Sequence, residues 1–240
     1  MGLDPPLADQ PFQGENAMGT MIELTASDGH SLGAYKAEPS STPKGGVVVI
    51  QEIFGVNSHI KNLCEEYAKN GYVAIAPALF DRAEKNLELG YGQEDFGKGR
   101  DTRGSLENAG IIADTQAAID EASKSGKVGI VGYCFGGAVS WMGATQCSGL
   151  SAASTFYGGG IHASRDATPK CPVILNFGDK DGGIPLSQVS EIKEAHPDIP
   201  CYVYDDAGHG FCCDDRESYN AGACERAHAR TLSLFSEHVG

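Results

Sequence analysis

A thiol, a carboxylate and an imidazole, each just past a run of strand-forming residues, are the groups in this chain that could carry out acyl transfer. Cys134 lies in Gly132-Tyr133-Cys134-Phe135-Gly136-Gly137, where the pattern G-x-S-x-G would place a serine on a tight turn between a strand and a helix. Small flanking residues let the nucleophile take a strained backbone conformation, and the helix N-terminus that follows stabilises the thiolate, the reactive form of the group. Further along come an acid, Asp179 or Asp181, and then His209 between Gly208 and Gly210. An imidazole near its reference pKa accepts and returns a proton near neutral pH, and a carboxylate fixes its tautomer. Taken alone, Cys134 could be a small core hydrophobe. The order Cys, Asp, His, each at a strand end, weighs against that.

The other thiols and histidines have no such setting. Cys171 and Cys201 flank Pro172 and Pro200 at strand entries, and Cys64 lies on a helix face with Leu63 and Tyr67, so all three read as structural. There is no C-x-x-C pair, and adjacent cysteines such as Cys212-Cys213 rarely bridge, so reduced thiols are expected and no metal site. His30, His59, His162, His196, His228 and His238 lack the glycine-flanked strand-end context of His209.

These groups must be held by alternating strands and helices. Strand signals fall at Met21 to Thr25, Leu32 to Ala37, Gly46 to Gln51, Tyr72 to Ala76, Val128 to Val131, Ser151 to Tyr157, Pro172 to Phe177 and Cys201 to Tyr204. The first two are joined by the turn signal Ser27-Asp28-Gly29-His30, and Val47-Val48-Val49-Ile50 has the continuous β-branched character of a strand buried on both faces. Helices are expected from Ile60 to Tyr67, closed by Gly71, from Leu106 to Ser123, from Ala138 to Ala144, and from Tyr219 to His238. Ala78 to Arg103 reads as a long polar excursion and residues 1–20 as an extended or poorly ordered arm. The pattern predicts one α/β domain over 21–240, with a mostly parallel sheet of about eight strands flanked by helices. Each candidate group lies past the carboxyl end of its strand, where open α/β sheets bind ligands.

Bulk properties narrow the function further. With 32 acidic and 18 basic residues the formal charge is −14, which disfavours nucleic acid or an acidic membrane surface as partner. No apolar stretch approaches a membrane span and the N-terminus lacks a basic region followed by an apolar run, so a cytoplasmic enzyme is expected.

Gln51-Glu52-Ile53-Phe54-Gly55, Pro77-Ala78-Leu79-Phe80-Asp81-Arg82, the Cys134 turn, the Asp179 to Asp181 loop and Ala207-Gly208-His209-Gly210-Phe211 together resemble the dienelactone hydrolase family from about Met21 to the C-terminus. The resemblance implies an α/β-hydrolase fold, a Cys-His-Asp triad, no metal or other cofactor, and hydrolysis of small lactones or related esters. Carried over residue by residue, it makes Cys134 the nucleophile, His209 the base and Asp181 the orienting acid, with Asp181 preferred to Asp179 because Ile184-Pro185 follows it. It places Glu52 close to the thiol as a modulating carboxylate; the alternative is a loop carboxylate capping the helix near Ser58. The backbone N–H groups of Phe135 and Ile53 are the expected oxyanion donors. Arg82 matches one arginine that binds a substrate carboxylate. The second such arginine is replaced by Cys213; Arg216 either reaches round the loop to substitute for it or pairs with Asp214 or Asp215.

The expected partner is thus a small lactone or ester, with no nucleic acid and no membrane, for a monomer or weak homo-oligomer. Two other readings remain at this level: a ligand-binding protein that keeps the fold without turnover, and a thiol redox protein using Cys134 with Cys212 or Cys213.

Overall fold

The structure is a computed structural model describing residues 19–240. The arm expected over residues 1–20 therefore lies almost entirely outside the described residues, and Thr20 already belongs to the first strand.

Eight strands form one sheet: β1 (Thr20–Thr25), β2 (Ser31–Ala37), β3 (Gly45–Ile50), β4 (Tyr72–Pro77), β5 (Val128–Tyr133), β6 (Leu150–Phe156), β7 (Val173–Gly178) and β8 (Cys201–Tyr204), in spatial order β1-β2-β4-β3-β5-β6-β7-β8. β1 and β2 form the hairpin promised by Asp28-Gly29, β2 pairs antiparallel with β4, and every pairing from β4 to β8 is parallel. β3, β4, β5 and β7 are buried along their whole length. That is the condition of a parallel sheet covered on both faces, and it explains their runs of Val, Ile, Leu and Ala.

Among the described residues six α-helices follow the strands: α1 (Ser58–Lys69), α2 (Gln93–Ser105), α3 (Asn108–Ala122), α4 (Phe135–Gln146), α5 (Leu186–Ala195) and α6 (Ala221–His238). α1 is capped by Asn57, whose Oδ1 accepts from the Ile60 amide, and it ends before Gly71 at φ 96°, a left-handed position that suits glycine. Asn220 caps α6 in the same way through the Ala223 amide. No described helix is long and apolar enough to cross a membrane.

Three features depart from the sequence reading, the first being α5, where no helix is expected. The stretch expected to be an irregular excursion contains α2, which shows no amphipathic stripe and carries Gly97, Gly99 and Gly104, each a poor helix former. Cys212 is joined to Cys224 of α6 in a disulfide, contrary to the expectation of reduced thiols throughout. Only the adjacent Cys213 is weighed as a partner from sequence, and set aside; α6 brings Cys224 back from twelve residues away.

Candidate active site

Sheet register brings the candidate residues together. Ile50 of β3 is paired with Gly132 of β5, so two residues further on, Glu52 and Cys134 leave neighbouring strands side by side. Tyr133 is paired with Phe156 of β6, which puts Tyr157 on the other flank of Cys134, and the Cys134 amide donates to the Phe156 carbonyl at 3.0 Å. Asp181 lies three residues past Gly178 of β7, itself paired with Tyr204 of β8, from which the chain runs on to His209. All these groups sit at the carboxyl edge of the sheet.

Cys134 is the residue before α4 and has φ 57° and ψ −117°. Such a conformation is costly for a non-glycine residue and is tolerated only where surrounding packing dictates it. Here the packing is Gly136, where a Cβ would run into the carbonyl groups of Ile50 and Gln51. The glycine lets α4 start directly against the end of β3.

The thiol is partly exposed, and its Sγ lies 3.0 Å from His209 Nε2, while His209 Nδ1 lies 2.8 Å from Asp181 Oδ2. Asp181 is buried, and its Oδ1 accepts from the Gly183 and Ile184 amides at 2.8 and 3.1 Å, so the carboxylate is fixed on both oxygens. Asp179 points elsewhere, accepting from the Ala207 amide and pairing with Lys180. Burial disfavours the His209 imidazolium, but the hydrogen bonds and charges of Asp181 and Cys134 outweigh it and raise the ring to about 10.

Glu52 is buried next to this relay. Its Oε1 faces Arg216 Nη1 at 3.4 Å and its Oε2 has no hydrogen-bond partner among the described residues. It does not cap α1, a role taken by Asn57. Arg216 pairs with neither Asp214 nor Asp215; its guanidinium lies over the Phe54 ring, 5.9 Å from the centroid. The Phe135 and Ile53 amides donate to no atom of the described residues, as oxyanion donors must not. Arg82 departs from its expected place: its guanidinium bonds both oxygens of buried Asp114 at 2.7 Å and reaches Asp28 at 2.8 Å, so it is committed to holding η1 (Leu79–Arg82), α3 and the β1–β2 turn together. Two acids within reach of one side chain are invisible in a motif.

Other residues near the site escaped the sequence reading. Tyr157, at φ 39°, stacks edge-on to His209 at 5.2 Å, and its buried hydroxyl has no partner among the described residues. Burial and the charges of Glu52, Cys134 and Cys213 hold that hydroxyl protonated far above the usual tyrosine range. Arg103 on α2 places its guanidinium 4.7 Å over the Phe135 ring and has no acidic partner among the described residues. Gly99, one turn earlier, abuts the Ile53 carbonyl, so α2 covers both loops that carry the free amides. The only signal for Arg103 was its lack of a helical pattern around it, which is no signal of function.

Comparison with known proteins identifies the family and the fold. The profile of the dienelactone hydrolase family matches residues 32–239. A Synechocystis protein provisionally named carboxymethylenebutenolidase is 37% identical over 87% of this chain and 92% of its own length. The carboxymethylenebutenolidase of Pseudomonas putida is 30% identical over 90% of this chain and 95% of its own. Among solved structures, a Klebsiella pneumoniae protein provisionally named dienelactone hydrolase superposes with a TM-score of 0.78 at 28% identity, covering 91% of this chain and 100% of that one. A Pyrococcus furiosus esterase, at 15% identity and a TM-score of 0.70, shares the fold. The chain therefore belongs to the dienelactone hydrolase family and is a hydrolase of the lactone and carboxylic ester type, built on the α/β-hydrolase fold.

Proposed function

We propose that this hydrolase cleaves small lactones or related carboxylic esters through Cys134, His209 and Asp181, by way of a thioester acyl-enzyme. The observation that carries the reading is the continuous relay from Asp181 through His209 to the Cys134 sulfur, at 2.8 and 3.0 Å, on a strained turn at the sheet edge.

The sulfur of Cys134, its proton held by His209, attacks the acyl carbon. The Phe135 and Ile53 amides stabilise the oxyanion, each such donor being worth about 3 kcal/mol. The acyl C–O bond then breaks, and the leaving oxygen takes the proton from His209. In a lactone that oxygen stays tethered, and where it departs as an enolate little protonation is needed. This suits a thiol nucleophile. Once the thioester has formed, the sulfur is uncharged, and one of the two groups that raise the His209 pKa is removed. The imidazole is then a free base that takes a proton from water as the water attacks the thioester, and the C–S bond breaks to release the acid.

Glu52 opposes thiolate formation by like-charge repulsion while Arg216 partly neutralises it. A substrate carboxylate that takes Arg216 would remove that counter-charge, coupling recognition to the ionisation of Cys134. Arg103 is a second cation on the Phe135 side of the site. Arg82 is left out of this reading because its donors are spent on Asp114 and Asp28. Six of the eight cysteines are free beside the Cys212–Cys224 bridge, which supports a cytoplasmic enzyme, and the formal charge of −14 favours a small diffusible substrate over nucleic acid.

A panel of lactones and activated esters, run with wild type and Cys134→Ala, tests the proposal. Turnover of at least one member by wild type and background rates from Cys134→Ala are expected. Equal rates from both proteins would remove Cys134 from the mechanism.

A further inference from the structure

Glu52, His59 and Cys213 are far apart in sequence, but a carboxylate oxygen of Glu52, a ring nitrogen of His59 and Cys213 Sγ lie within 4.8 Å of one another. All three residues are buried, at 1%, 4% and 0% exposure, and Glu52 Oε2 and His59 Nε2 have no hydrogen-bond partner among the described residues. Buried polar atoms are nearly always satisfied, so two orphans on residues that cluster with a buried thiol call for a ligand. The outer shell is also in place. His59 Nδ1 faces Asp214 Oδ1 at 3.2 Å, which fixes the tautomer that leaves Nε2 as a lone-pair donor. Tyr91 stands near Cys213, and its hydroxyl is held by Asn57 Nδ2 at 3.1 Å.

We propose that Glu52, His59 and Cys213 form a Zn²⁺ site next to the catalytic thiol, with Asp214 orienting His59. One carboxylate oxygen, one imidazole nitrogen and one thiolate are the donors of a borderline-soft divalent ion with three protein ligands and one open position. A sulfur ligand excludes Mg²⁺ and Ca²⁺, which take oxygen. Coordination transfers the Cys213 proton to solvent as the S–Zn bond forms, with no change of oxidation state. Arg216 uses Oε1 of Glu52 and leaves Oε2 for the ion. A cavity of about 560 Å³ lined by His59, Asp214, Cys212 and His228 lies on the His59 side of the cluster. Occupancy would tie Glu52 to the ion and withdraw it from the thiol. On the role proposed for Glu52, that would lift its like-charge opposition to the Cys134 thiolate, while the binding claim stands independently of the hydrolase reading.

The test is a Co²⁺ titration of the full chain in the Cys134→Ala background, which removes the only other thiol–imidazole pair at the site, without reductant so that Cys212 and Cys224 stay joined. One equivalent of Co²⁺ with a thiolate-to-metal charge-transfer band, displaced by Zn²⁺, is expected. Cys213→Ser should abolish the band, and Asp214→Asn, a change at an exposed carboxylate that spares the core, should weaken binding about tenfold. No band at Co²⁺ up to about 1 mM would mean that the cluster holds solvent, and would overturn the proposal. A band that survives Cys213→Ser, or affinity unchanged by Asp214→Asn, would overturn it equally.

Discussion

Replacing Asp181 by Asn separates the charge and tautomer roles of the acid from its role in the fold. Oδ1 accepts from two backbone amides, Gly183 and Ile184, so an asparagine in this place must keep its oxygen there and turn its NH₂ toward His209. His209 Nδ1, 2.8 Å away, then has to accept rather than donate, which leaves the ring proton on Nε2, facing Cys134. That tautomer cannot take the thiol proton. The same loss in a Ser-His-Asp site lowers kcat by about 10⁴-fold, equivalent to about 5 kcal/mol. The assay is kcat on an activated ester for Asp181→Asn beside Asp179→Asn, with melting temperatures for both. The acid at 179 holds only the Ala207 amide and Lys180, so its variant should stay within a few-fold of wild type. An Asp181→Asn rate within about tenfold of wild type, in protein of normal stability, would refute the tautomer argument.

Arg82→Ala should leave kcat/KM per folded molecule unchanged but destabilise the protein by about 3 kcal/mol in urea denaturation, because Asp114 is fully buried and would keep only His30 as a partner. Arg216→Ala and Arg103→Ala should each raise KM for a carboxylated lactone by about tenfold, or about 1.4 kcal/mol, and leave an uncharged ester nearly unaffected; equal effects on both substrates would contradict carboxylate recognition. Burial, with a smaller contribution from the charge of His59, lowers His228 to about 4, so between that value and its unfolded value of about 6.5 the unfolded chain binds more protons. The stability this neutral histidine contributes is complete above pH 6.5 and declines as pH falls toward 4, by at most about 3 kcal/mol, and His228→Gln should flatten that part of the pH profile measured by urea denaturation.

The sheet was legible because its central strands are buried on both faces and so must be continuous apolar runs, and because the motif residues lie where those runs end. Cys134, Asp181, His209, Glu52, Ile53 and Phe135 could be named since each sits within a few residues of a strand end. What escaped was set by distant contacts. Arg82 has the right position in its segment, but Asp114 of α3 and Asp28 of the hairpin turn take its donors. Arg216 was left open between two roles because loop geometry, not spacing, points it at Glu52. α2 lacks both periodicity and good helix formers, and is held by docking over the Ile53 and Phe135 loops. Cys224 meets Cys212 only because Asn220 starts α6 at the right place.

The central claim is that acyl transfer passes through the Cys134 sulfur. Rapid acid quenching of the protein during turnover of an activated ester, followed by peptide mass mapping, tests it most directly. The account predicts an acyl group on the peptide containing Cys134, labile to hydroxylamine as a thioester is, accumulating in His209→Ala after slow acylation and absent in Cys134→Ala. Turnover with no acylated peptide under any quench, or an acyl group on another residue that persists in Cys134→Ala, would contradict it.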